Sequence, residues 1–120
     1  MKRAIIAMAG IATACAATYP VPVQRMADAQ SARRSAVELG ANNLPDAQLY
    51  LKLSEEEIAK ANVLLKENEN RRADFMLIRA KADGELAVAI ARAKKSEAEE
   101  KQSLDQQKLR AKTIPFQGAR

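Results

Sequence analysis

The chain contains no histidine and no tryptophan, a single cysteine, and only two tyrosines and two phenylalanines in 120 residues. Without histidine it has no side chain that titrates unperturbed near neutral pH, so the usual general base and the commonest zinc ligand are both missing. One cysteine excludes an internal disulfide and a cysteine-rich metal cluster. Glycine and proline number four each, too few for a loop-rich or repeat-turn architecture. Valine, isoleucine, threonine and aromatic residues are sparse, which argues against a sheet. What remains is dominated by 25 alanines with many Lys, Arg, Glu and Gln, the strongest intrinsic helix formers. An all-α chain follows, of one domain's length.

The formal charge is +5, with 20 Lys and Arg against 15 Asp and Glu. Two of the cations, Lys2 and Arg3, lie in the first three residues. Elsewhere the two signs alternate along the chain, as on a solvated helix surface. No nucleic-acid partner is therefore expected, since that would need clustered cations.

The N-terminus reads as an export signal. A basic start, Lys2-Arg3, precedes an apolar run from Ala4 to Ile11 and then the small residues Ala12-Thr13-Ala14. The uncharged stretch is shorter than the roughly 20 apolar residues that a spanning helix needs. Residues 1–14 are therefore expected to be a signal peptide. Ala12-Thr13-Ala14-Cys15 resembles a bacterial lipobox, although that motif usually has Leu where Ala12 stands. The resemblance implies lipidation at Cys15, and Ala16 in place of an Asp retention signal implies the outer membrane. Anchoring would then rest on buried acyl chains at about 0.8 kcal/mol per CH₂. A second cleavage stays open, because Ala14-Cys15-Ala16 fits an Ala-x-Ala site that would leave a soluble periplasmic product.

Beyond the cysteine, Pro20 and Pro22 hold residues 15–22 extended as a tether. Residues 23–93 are expected to form the helical domain. A first helix over about 23–39 carries Met26, Ala29, Ala32, Ala36 and Leu39 on one stripe and ends at Gly40, suited to a left-handed C′ position. In the turn Asn42-Asn43-Leu44-Pro45-Asp46, the asparagines favour caps, Pro45 suits the first helical position and Asp46 the positive end of the dipole. The second helix has the cleanest pattern, Leu44, Ala47, Leu51, Ser54, Ile58, Ala61 and Leu65 at spacings of 3-4-3-4-3-4. Ser54-Glu55-Glu56-Glu57 has the form of a capping box, but the unbroken stripe favours one continuous helix.

Asn68-Glu69-Asn70 marks the next break, with Asn70 as N-cap of a third helix that runs from about 71 to 112. Ala73, Met76, Ala80, Ala87 and Ile90 form one stripe on it. Phe75, Ile78, Ala82, Leu86, Ala89 and Ala93 form another, so this helix is expected to lie between two others. Residues 94–120 are read as a charged helical arm and tail.

The run from Gly40 to Ala47, the heptad helix after it, the break at Asn68–Asn70 and the segment Ala80-Lys81-Ala82-Asp83-Gly84-Glu85-Leu86-Ala87 together resemble the domain of unknown function 4398 family. The likeness covers about residues 24–95, and Gly84 stands where that family commonly has Ala. It implies a bacterial envelope lipoprotein with an antiparallel helical unit, roughly like a tetratricopeptide repeat with an added helix, and it supplies no catalytic residues. Family members often carry an outer-membrane-protein-A-like peptidoglycan-binding domain afterwards; none lies in these 120 residues, and that activity is not carried over.

Candidate chemistry is thin. Ser54 and Ser96 have no histidine to activate them and read as surface serines on helices. Glu55-Glu56-Glu57 and Glu97, Glu99, Glu100 read as solvated faces, since neighbouring residues on a helix point about 100° apart and do not converge on one ion. The pairs Arg33-Arg34 and Arg71-Arg72 are expected to serve i→i+4 ion pairs with Glu38 and residues such as Asp74. No cofactor, metal or small-molecule substrate is expected, and no enzyme. The expected role is a membrane-tethered periplasmic adaptor, bound to the membrane through Cys15 and to another envelope protein through helix contacts, with self-association open. The alternative is a periplasmic holdase-like chaperone.

Overall fold

The computed structural model describes residues 18–113. Cys15 and residues 1–14, expected to be a signal peptide, lie outside the described residues, as do the residues after Thr113.

The described chain forms three helices, α1 (Val23–Glu38), α2 (Pro45–Lys66) and α3 (Asn70–Thr113), with a 3₁₀ turn at Ala41–Asn43. No strand occurs among the described residues. Leu39 closes α1, and Gly40 follows in the left-handed region at φ 80°, donating its N–H to Val37. The asparagines expected as caps do not cap. Leu44 is the N-cap of α2 and makes no side-chain cap bond, while Pro45 occupies the first turn beside Asp46. A second left-handed residue, Asn68 at φ 61°, ends α2. There the N–H of Glu69 reaches Leu64 and that of Asn68 reaches Leu65, the paired bonds of a Schellman motif that satisfy otherwise orphaned carbonyls. α2 runs without a break through Ser54–Glu57, so the capping-box pattern lies within a helix.

Cross-helix pairs give the directions. Arg33 on α1 meets Glu55 on α2, and Ser54 and Glu57 on α2 meet Ala80 and Arg79 on α3. Arg25, Asp28 and Ala32 on α1 meet Asp74, Lys81 and Gly84 on α3. The helices therefore run up, down and up, with α1 and α3 parallel to one another and antiparallel to α2. α3 packs on both partners far more than they pack on each other.

The core is built almost wholly of alanine. Of eleven buried hydrophobic residues, nine are Ala and two are Leu51 and Leu77. Two clusters divide it. One gathers Ala36, Ala41, Ala47, Leu51, Ala87 and Ala91 near the first turn. The other gathers Ala29, Ala61, Ala73, Leu77 and Ala80 near the second. Small residues let helices approach near the short end of the 8–10 Å interaxial range. Gly84 marks the closest approach: a Cβ there would lie 3.0 Å from the Ala32 Cβ and 3.2 Å from backbone atoms of Ala32 and Arg33.

The α2 stripe is the seam of this core, with Ala47, Leu51, Ser54 and Ala61 buried. On α3 the expectation of two packed faces is corrected. Its buried line is Ala73, Leu77, Ala80, Gly84, Ala87 and Ala91, a 4-3-4-3-4 heptad seam. The stripe of Phe75, Ile78, Ala82, Leu86, Ala89 and Ala93 is exposed throughout. Both α1 and α2 contact α3 from the same side, because the alanine seam is slim enough to receive two helices at once.

Beyond Ala91 no residue of α3 is buried up to Thr113. At 1.5 Å per residue this arm extends about 33 Å past the bundle. Ion pairs Lys94–Glu97, Lys95–Glu99 and Asp105–Lys108 at helical spacing run along it, each adding a few tenths of a kcal/mol of helix stability.

Candidate functional site

Ser54, expected on the surface when weighed as a nucleophile, is completely buried and donates its hydroxyl to the Ala80 carbonyl at 2.7 Å. It bridges the two core clusters and presents no free oxygen to a substrate. Ser96 is exposed on the arm.

The reading of Glu55-Glu56-Glu57 as a solvated face holds for Glu55 and Glu56 but not for Glu57, which is 4 % exposed. It points inward because it lies three residues beyond Ser54 and four before Ala61 on the seam side of α2. One carboxylate oxygen meets Arg79 at 2.9 Å, while Oε2 is buried without a hydrogen-bond partner among the described residues. Desolvation pushes the Glu57 pKa up, Arg79 opposes this, and the neighbouring Asp83 carboxyl raises it further.

A second buried acid is Asp74 at the start of α3. Arg25 of α1 pairs with it at 2.7 Å and the Tyr19 hydroxyl donates to it at 2.8 Å. The Asn70 side chain in turn donates to the Tyr19 carbonyl at 2.8 Å. The segment before α1 is thus fastened to the α2–α3 corner. The hydrogen bond to Asp74 raises the Tyr19 pKa above its ordinary value.

The arginine pairs behave otherwise than expected. Arg33 bonds Glu55 across helices at 2.9 Å rather than Glu38. Arg72 pairs with Glu69, three residues earlier. Arg71 stands over the Phe75 ring at 5.9 Å, a cation–π arrangement.

Two apolar surfaces remain open. Val63, Leu64, Phe75 and Met76 line a groove of about 400 Å³ between the end of α2 and the start of α3, with Lys60 and Arg72 at its rim. The outer stripe of α3 continues from Phe75 towards Ala93. Among the described residues no group of acidic or cysteine side chains is arranged to hold a metal ion, and no helix is long and apolar enough to cross a membrane.

The family described as domain of unknown function (DUF4398) matches residues 24–103, two thirds of the chain. The chain belongs to the DUF4398 family. The match takes in α1, α2 and the first 34 residues of α3, including both buried acids, Ser54 and Gly84. No curated protein and no solved structure matches the chain.

Sequence reasoning missed Glu57 and Asp74 as buried groups and the heptad seam of α3. The seam was visible as the spacing of Ala73, Leu77, Ala80, Gly84, Ala87 and Ala91. It was hidden because alanine occurs on two opposite faces of this helix and so does not tell them apart.

Proposed function

We propose that this DUF4398 member is a non-catalytic adaptor of the bacterial envelope, exported by residues 1–14 and tethered by lipid on Cys15 to the periplasmic face of the outer membrane. One observation carries the adaptor reading, the α3 arm. Residues 92–113 are helical and exposed on every side, and Leu104 and Leu109 are 47 % and 63 % exposed. Most helical stability in proteins comes from packing an apolar face, and an outward helix with spaced leucines among charges is suited to lie along a partner helix. The close alanine packing supports a role on surfaces, since the groove between α2 and α3 among the described residues is open rather than enclosed.

A photo-crosslinking side chain placed at Leu104 in envelope-localised protein tests the reading. One defined envelope protein should be captured, and capture should be lost with Leu109→Lys. The holdase alternative draws on the open groove at Val63, Leu64, Phe75 and Met76. It predicts suppression of aggregation of unrelated denatured proteins, abolished by Phe75→Lys. For the anchor, mass spectrometry of the membrane fraction should find an acylated N-terminal Cys15. A soluble product starting at Ala17 would remove the lipid from the proposal and leave the adaptor.

A further inference from the structure

The outer face of α3 has an ordered composition that random surface exposure does not produce. Phe75, Ile78 and Ala82 recur eleven residues later as Leu86, Ala89 and Ala93. A period of 11 is 3.67 residues per turn, so the second set falls within about 20° of the first and stays on the same face of the helix. Phe75, Ile78 and Leu86 are 52 %, 39 % and 40 % exposed, and the three alanines are exposed as well. The face lies opposite the buried seam of Ala73, Leu77, Ala80 and Gly84, so α1 and α2 reach only its flanks, α2 beside Phe75 and α1 beside Ile78 and Ala82.

The stripe is graded in size. Its N-terminal end carries the bulky Phe75 and Ile78, and its C-terminal end carries Ala89 and Ala93. On this face the charge is graded as well, with Arg71 at the first end and Glu97 and Glu100 at the second, while at 100° per residue Lys94 and Lys95 fall on other sides of the helix. A parallel copy would set Phe75 against Phe75 and Ala93 against Ala93, splaying the helices, and would bring like charges together at both ends. An antiparallel copy centred on the level of residue 84 does the reverse. Phe75 then faces Ala93, Ala82 faces Leu86, and Ile78 comes within one residue of the level of Ala89, one large side chain against one small each time. Arg71 comes level with the partner's acidic end, near Glu97 and Glu100. Such an arrangement is isologous, each contact occurring twice about the twofold axis.

We propose that two copies of this chain associate through residues 71–97 of α3 as an antiparallel, twofold-symmetric helix pair. The pairing is independent of the adaptor reading, because residues 98–113 extend past the partner's α3 and leave an arm free at each end. The stripe offers only six side chains, three of them alanine, so the area it buries falls below the roughly 800 Å² per partner of a standard interface. Association is accordingly weak and concentration-dependent, and confinement on a surface would strengthen it.

Directed disulfide formation reads both the contact and its direction. In the full chain carrying Cys15→Ser, Phe75→Cys and Ala93→Cys are made separately. Each population is oxidised alone and then in mixture. In the antiparallel register residues 75 and 93 are level, while 75 and its own copy stand about 27 Å apart, beyond the roughly 7 Å reach of a disulfide. Cross-linked dimer should form in the mixture and not in either population alone. Sedimentation of the Cys15→Ser chain should show a dimer at high micromolar concentration, weakened at least tenfold by Phe75→Asp with its melting temperature unchanged. Reversal of either Arg71→Glu or Glu97→Arg should weaken it, and combining them should restore it. Cross-links in either population alone, or a monomer at every concentration, would overturn the proposal.

Discussion

The hydroxyl of Ser54 on α2 reaches the carbonyl of Ala80 on α3 at 2.7 Å, with both residues fully buried. This bond joins the two alanine clusters at the middle of the bundle, where no larger side chain fits. Ser54→Ala keeps the volume and loses one neutral hydrogen bond, so a loss of about 1 kcal/mol is expected. Ser54→Leu overpacks the site and should cost more, on the order of 2–3 kcal/mol. Thermal melts followed by circular dichroism rank the two. Equal melting of wild type and Ser54→Leu would show that the seam is looser than described.

Gly84 receives α1 closely, with backbone atoms of Ala32 and Arg33 standing 3.2 Å from where its Cβ would lie. Alanine at this site gains about 1 kcal/mol of helix propensity, which the tight contact opposes. A branched or long side chain gains less and must part the helices. Gly84→Leu is therefore expected to destabilise by roughly 2 kcal/mol or more, with Gly84→Ala close to wild type. A Leu variant as stable as wild type would place α1 farther from α3.

Leu51 is 2 % exposed at the centre of the α2 stripe, and Glu56 is exposed on the far side. A lone charge in the core costs several kcal/mol against a total of about 5–15 kcal/mol, and an alanine core lies near the lower end. Leu51→Asp should unfold the domain, whereas Glu56→Lys should melt within about 0.5 kcal/mol of wild type. Ile58→Asp, at a half-buried position, should fall between them.

Glu57 gives the fold a pH response. Its pKa is raised in the folded state, mainly by desolvation, so the folded chain binds the proton more readily than the unfolded one. Between the raised value and the ordinary one, stability rises as pH falls. Lowering the pH from 7 towards 5 should raise the melting temperature of wild type relative to Glu57→Gln, which has no proton to take up at this position. Parallel pH profiles for the two proteins would show that Arg79 fully compensates the buried charge.

Much of the fold was legible before any tertiary contact was known. The heptad stripe of α2 identified Leu51 and Ala61 as core, because leucine and isoleucine among charged residues mark one side of a helix clearly. Gly40 and Pro45 fixed the first turn through backbone preference alone, and Asn68–Asn70 marked the second. The third helix was less legible. Half of its apolar residues are alanine, they fall on two faces, and pattern does not say which face meets a neighbour. Only packing chose the Ala73–Ala91 line, where two helices close on one seam. That choice left Phe75, Ile78 and Leu86 outside as a surface for contact. Packing likewise decided that Glu57 and Asp74 are buried, since the charge of a side chain does not reveal whether Arg79 or Arg25 stands ready on another helix to receive it. The sequence determined helices, turns and one seam through local preference and periodicity. The tertiary structure alone determined which polar groups were sealed in and which apolar face was left open, because both depend on residues that are distant in the chain.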